Sequence, residues 1–152
     1  MHNLDNGIRL DFMKIGDVPA VHELEVECFP SPWDIDAYYR ELQNPSAFYV
    51  VARKSERVVG FGGMWAVGDE AHIVTLAVGD ACRRQGLGRR LLEALIKEAR
   101  RRRVVRVTLE VRVSNTPAQN LYASFGFRTI AFRREYYPDN NEDAAVMALE
   151  LG

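Results

Sequence analysis

Cysteine is scarce in this chain. Cys28 and Cys82 are the only two in 152 residues, and no CxxC spacing joins them. A disulfide framework is therefore not expected, and a reducing compartment is. No apolar run is long enough to span a membrane and no signal-peptide pattern is present, so a cytoplasmic location is expected. The three histidines, His2, His22 and His72, have no metal-ligand spacing with acids or cysteines, and no metal is expected. The Walker pattern GxxxxGK[ST] and the dinucleotide fingerprint GxGxxG are both missing. So are the signatures of RRM, KH and helix-turn-helix modules, which argues against direct nucleic-acid binding. Without repeats, linkers or low-complexity stretches, residues 1–152 read as a single domain. A chain of this length buries roughly two thirds of its unfolded surface and needs no covalent or metal staple.

Net charge is small, at −1, but its distribution is uneven. Residues 1–50 carry nine acids against three bases, and residues 83–112 carry eleven bases against three acids. Such polarity suits a chain that holds an anion in one place and attracts a cation in another. The run "ARRRR", 99–103, reads by itself as the solvated end of a helix, where cations complement the dipole.

Periodicity supplies the elements. "GIRLDFMKI" alternates Ile8, Leu10 and Phe12 on one strand face. Asp17 is positioned to cap a helix over 18–28, with Pro19 in its first turn and Pro30 and Pro32 ending it. A second helix is expected over 34–42, followed by three strands, "SAFYVVARK", "RVVGFGGMWAV" and "AHIVTLAV", forming an antiparallel meander. The segment 86–102 has helical apolar spacing. "VVRVTLEV" alternates again, with Val105, Leu109 and Val111 opposite Arg106, Thr108 and Glu110. A short helix in "NTPAQNLYASFGF" stops at Gly126, and two strands, "FRTIAFRREYY" and "AAVMALEL", close the chain. The order βααβββαβαββ predicts an α/β (α+β) domain with a mixed sheet.

One turn carries chemistry. In "IVTLAVGDACRRQGLGRR" a strand feeds a glycine turn that opens a helix, which aims free backbone N–H groups and the positive helix end at one spot. Gly86 and Gly88 permit close approach, and Arg83, Arg84, Arg89 and Arg90 add positive charge. The arrangement suits a phosphate.

The turn fits the pattern R/Q-x-x-G-x-G/A as Arg83-x-x-Gly86-x-Gly88. With it, the chain resembles the GNAT superfamily of acetyl-CoA-dependent N-acetyltransferases over about residues 8–150. "RRQGLGRRLLEALI", "LEVRVSNTPAQNLYASFGF" and "RREYYPDNNEDAAVMAL" are, in that order, most similar to the ribosomal-protein alanine N-acetyltransferases (RimI type). The resemblance implies a mostly antiparallel seven-stranded sheet with helices on both faces. It implies that Leu76, Ala77 and Val78 offer backbone to the pantetheine arm of acetyl-CoA. Arg83, Arg84, Gln85, Gly86, Leu87, Gly88 and Arg89 would hold the pyrophosphate, and Asn115 would bond the cofactor near its reactive end while also serving as a helix cap.

By the same resemblance Glu110 is the general base and Tyr122 the general acid. Glu110 ends an apolar strand on the face opposite Leu109 and Val111, where a partly shielded carboxylate suits base catalysis near neutrality. Tyr122 lies four residues before Gly126. Full transfer from an ordinary tyrosine to a thiolate is uphill by roughly 2 kcal/mol, so donation of a strong hydrogen bond is the expected role. Neither cysteine has a His or acid companion at a recognisable spacing, which favours direct attack over an acyl-enzyme.

An α-amine is roughly a tenth neutral near pH 7 and a lysine under about one part in a thousand, which favours a protein N-terminus, that of a ribosomal protein, as acceptor. Phe29, Trp33, Tyr136 and Tyr137 are candidate acceptor contacts, with no membrane partner and a monomer or weak dimer expected. The acids Glu23, Glu25, Glu27, Asp34 and Asp36 are either an attraction for a basic tail or a solvated helix surface. Two features depart from the family pattern: Cys82 stands where relatives commonly have an aromatic residue, and the early loop "CFPSPWD" is longer than usual. Alternatives are a lysine, another N-terminus or a small amine as acceptor, or a non-catalytic acetyl-CoA sensor.

Overall fold

The computed structural model describes residues 7–83 and 86–152. Its elements follow the expected order: β1 (Ile8–Phe12), α1 (Val18–Cys28), α2 (Ile35–Leu42), β2 (Ala47–Lys54), β3 (Arg57–Val67), β4 (Glu70–Val78), α3 (Leu87–Arg101), β5 (Arg106–Arg112), α4 (Thr116–Ser124), β6 (Arg128–Tyr137) and β7 (Glu142–Glu150). The seven strands form one mixed sheet in the order β1-β2-β3-β4-β5-β7-β6. Pairing is antiparallel for β1/β2, β2/β3, β5/β7 and β6/β7, and parallel for β4/β5. Two compact units are resolved, one of residues up to 65 with 73–98, the other of 66–72 with 99–152.

In the first unit, α1 buries Val18, Val21 and Leu24, and α2 buries Tyr38, in a cluster with Tyr49, Val51 and Phe61 of β2 and β3. On β3 a side chain at Gly60 would stand 3.0 Å from the Ala77 carbonyl oxygen and 3.2 Å from Leu91. One at Gly62 would stand 3.2 Å from both Leu76 and Leu95. Glycine there lets the leucine stripe of α3 lie directly on the strand.

Three expectations need correction. Asp17 occupies the N-cap position of α1, but its side chain makes no cap bond. It instead takes a two-pronged ion pair from Arg53, Nη1 to Oδ1 at 2.6 Å and Nη2 to Oδ2 at 2.8 Å, and accepts the Lys14 N–H. A buried guanidinium needs a carboxylate more than a helix end needs a cap. Phe12 does not join Ile8 and Leu10 in the core; it is 53% exposed and packs edge-on against Phe48. Val105 precedes β5 and is exposed, and Val107 takes the inward position beside Leu109 and Val111.

In the second unit β5 is the central strand, paired in parallel with the start of β4 through His72–Thr108 and antiparallel with β7 through Leu109–Met147 and Glu110–Val146. Inward residues of β5 pack with Ala145, Met147 and Leu149, all buried, while β6 is exposed along nearly its whole length. Among the described residues no helix is long and apolar enough to cross a membrane.

Candidate active site

The glycine turn falls in the first unit and the catalytic candidates in the second. In the first unit, Leu76, Ala77 and Val78 form the end of β4, and the chain continues through a 3-10 turn, Asp80–Cys82, to Arg83. Arg84 and Gln85 lie outside the described residues, as does His2. Arg83 is directed at protein acceptors: Nε donates to the Val78 carbonyl at 3.1 Å, and Nη1 pairs with Asp80 at 2.9 Å. It also reaches the Cys28 sulfur at 3.6 Å, so it braces the turn. Gly86 has φ +76, a conformation side chains rarely adopt, and among the described residues, chain neighbours aside, no atom lies within 4 Å of where its Cβ would be. Leu87 and Gly88 open the 15-residue α3, and first-turn N–H groups of a helix have no internal acceptor. An open glycine corner leading to such N–H groups fits a phosphate anion. Cys82 is buried and free, and packs as a small apolar residue.

Phe29 and Trp33 are half-buried at the edge of the core, with the Trp33 ring 5.4 Å from that of Tyr38. The loop carrying them is tied back to α1 by His22, whose Nε2 lies 3.1 Å from the Trp33 carbonyl oxygen. Behind it, the Tyr38 hydroxyl donates to Glu25 at 2.5 Å, and Tyr49 and Trp65 both donate to Glu41 at 2.6 Å. Burial raises the Glu25 carboxyl despite the Tyr38 hydroxyl and the Trp33 backbone N–H that bond it. Glu25 is thus an interior acceptor, and the expectation that it belongs to a solvated acidic surface is not met.

The second unit holds Glu110, Asn115, Tyr122, Tyr136 and Tyr137. Glu110 has a side chain 13% exposed. His72 Nε2 lies 3.0 Å from its Oε1, which accepts the Tyr136 hydroxyl at 3.4 Å, and Arg133 Nε lies 4.0 Å from Oε2. Asn115 is the N-cap of α4, its Oδ1 accepting the Ala118 N–H at 3.2 Å. That use leaves the amide N–H groups outside the cap.

Tyr122, on α4, is buried, and desolvation followed by the nearby Tyr137 pushes its hydroxyl up to about 12. Arg112 stacks 4.0 Å over the Tyr137 ring while pairing with Asp139 at 2.8 Å and Glu142 at 3.3 Å, which pins the β6–β7 turn against β5. Tyr136 and Tyr137 meet edge to face at 5.0 Å. Among the described residues no group of three or more His, Cys, Asp or Glu could hold a metal ion.

Sequence reasoning missed two contributors. His72 has no metal-ligand spacing and Arg112 no motif of its own, so neither carries a local signal. Thr108 and Glu110 already share a face by alternation, yet only the parallel register of β4 on β5 brings His72 beside them.

The sequence pattern of the acetyltransferase (GNAT) family matches residues 18–127. The chain belongs to this family. It is 41% identical, over 89% of its own length and 90% of the relative's, to a Bacillus subtilis protein provisionally named [ribosomal protein bS18]-alanine N-acetyltransferase. It is 38% identical to the Escherichia coli [ribosomal protein bS18]-alanine N-acetyltransferase, over 89% and 92% of the two chains. A crystal structure of the ribosomal-protein-S18-alanine N-acetyltransferase from Escherichia coli superposes with a TM-score of 0.89, covering 95% of this chain and 94% of that one. As a GNAT family member so similar to these relatives, the chain is an N-acetyltransferase with a mixed, mostly antiparallel seven-stranded sheet.

Proposed function

We propose that this N-acetyltransferase moves the acetyl group of acetyl-CoA to a protein N-terminal amine, that of an alanine opening a small-subunit ribosomal protein of the bS18 kind. The chemistry rests on one observation: Glu110 is a mostly shielded carboxylate with Oε1 engaged by neighbours, next to which an amine or water has Oε2 as a proton acceptor. The acceptor rests on the relatives' reaction and on the amine itself. Near pH 7 an α-amine is roughly a tenth neutral, whereas a lysine is under about one part in a thousand, and a single carboxylate base is matched to the former.

In this reading Leu76, Ala77 and Val78 line the pantetheine arm. Arg83 through Arg89 surround the pyrophosphate, with the Gly86 corner and the first-turn N–H groups of α3 as its donors and Arg83 bracing the turn. Acetyl-CoA, when bound, supplies a thioester carbonyl and a thiol leaving group. Glu110 takes the proton from the amine, directly or through water, as the C–N bond forms and the C–S bond breaks. Tyr122 hydrogen-bonds the departing sulfur. With its hydroxyl near 12 and a thiol near 8.5, complete transfer would be uphill by about 5 kcal/mol, so the proton moves to sulfur only late or through solvent. Asn115 bonds the cofactor near the reacting end, and Phe29, Trp33, Tyr136 and Tyr137 contact the acceptor chain.

The test is a panel of peptides starting with Ala, Ser, Gly or acetylated Ala, and one with an internal lysine, incubated with acetyl-CoA and scored by thiol release and mass spectrometry. Fastest turnover is expected on a bS18-like Ala start, with acetylation at the α-nitrogen and a loss of about 100-fold or more in kcat for Glu110→Gln. Lack of turnover on every Ala-starting peptide overturns the acceptor assignment, and full activity of Glu110→Gln overturns the base.

A further inference from the structure

His72 lies between two β5 side chains that are two residues apart and so share a face. Its Nδ1 is 2.8 Å from Thr108 Oγ1, and its Nε2 is 3.0 Å from Glu110 Oε1. The chemistry of the partners constrains the ring. An ionised carboxylate only accepts, so Nε2 carries the hydrogen; in the neutral ring Nδ1 then accepts, and Thr108 is the hydroxyl able to donate to it. Glu110 thereby selects the Nε2–H tautomer, and Thr108, whose hydroxyl can donate to Nδ1, supports it.

The geometry points to His72 as the positioning residue for Glu110: its Nε2–H fixes Oε1 and leaves Oε2 as the oxygen that receives the amine proton. This inference rests on the reading of Glu110 as the base. Among the described residues, the other side chains that reach the carboxylate come from β6. Tyr136 donates to the same Oε1 at a longer 3.4 Å, and Arg133 lies 4.0 Å from Oε2 on a side chain 60% exposed. On β7 the residue paired with Glu110 is Val146, which offers no hydrogen bond from its side chain. His72 makes the shortest contact to the carboxylate and is better shielded than Arg133, with its side chain 32% exposed. A base held at one oxygen loses less freedom when it takes up the proton, a kcat effect rather than a binding effect.

The experiment compares parent, His72→Leu, His72→Gln, Thr108→Val and Glu110→Gln by steady-state kinetics on the best peptide, with [15N]histidine spectra of the parent and Thr108→Val at pH 8.5. His72→Leu is expected to lose about 10- to 100-fold in kcat, with KM for acetyl-CoA within about twofold. His72→Gln, whose amide nitrogen reaches the Nε2 position, recovers most of that loss. The parent spectrum is expected to show His72 protonated at Nε2, and Thr108→Val to weaken that preference. If His72→Leu retains parental kcat while Glu110→Gln is inactive, the positioning role fails and the base assignment stands. Equal impairment of the Leu and Gln variants, or a parent ring protonated at Nδ1, also overturns it. Full activity of Glu110→Gln removes the base reading instead, and the spectra still decide whether Thr108 and Glu110 fix the ring.

Discussion

Burial sets the chemistry that Tyr122 can perform. A hydroxyl raised to about 12 by desolvation keeps its proton throughout the range in which an α-amine is neutral, so it is a hydrogen-bond donor at every working pH. Tyr122→Phe is expected to lower kcat by about 10- to 100-fold with little effect on KM for the acceptor. The parental kcat profile should show no alkaline fall from this group below about pH 11. An alkaline limb near pH 9 that vanishes in the Phe variant contradicts this. The identities of Glu110 and Tyr122 as candidates came from motif spacing, but the state of each depends on neighbours remote in sequence: His72 and Tyr136 for one, Tyr137 for the other. Alternation along β5 placed Thr108 and Glu110 together; no local pattern could place His72 with them, because strand register is a tertiary property.

Most elements were readable to within two residues, since they combine a clear period with a stop signal, while β1 ends at Phe12, three residues short of the segment "GIRLDFMKI". Two differences have one cause, the competition between local and long-range partners. Asp17 has the right place for a cap and the better partner in Arg53, 36 residues away. Phe12 has the right parity for the core, but lies at the end of the edge strand β1 and packs on Phe48 instead. At Gly60 the approach of α3 to β3 is the constraint, with a backbone oxygen that cannot turn aside. Gly60→Ala is expected to cost about 1–3 kcal/mol in urea denaturation. A stability within 0.5 kcal/mol of the parent, roughly the spread of neutral substitutions, counts against this packing.

For the molecule as a whole, acid is the revealing stress. Burial alone would raise Asp17, but the Arg53 hydrogen bonds and the Lys14 N–H outweigh it and hold the carboxyl below its ordinary value. Glu142, bonded first to Ser114 and then to Asn140 and Arg112, is held at about 2. Both folded-state values lie below the unfolded ones near 4. Their contribution is therefore complete above about pH 5 and lost as pH falls from about 4 toward 2. Thermal unfolding followed from pH 7 to pH 2 should show Tm falling across that window. Asp17→Asn, which leaves Arg53 with Asp11 at 3.5 Å as its remaining carboxylate, should cost about 2 kcal/mol at pH 7 and show a shallower acid limb. An acid limb of unchanged steepness means that Asp17 is not among the groups responsible.

The family, the element order and the two catalytic candidates were determined by the chain's linear pattern, because periodicity, glycine stops and motif spacing are local properties written in consecutive residues. Which polar groups share a proton or an ion pair was decided only in three dimensions. His72 reaches Glu110 through the parallel pairing of β4 with β5, and Arg53 takes the Asp17 side chain from its helix. Hydrogen bonds require partners within about 3 Å, and in a sheet those partners are chosen by register, which no single segment contains.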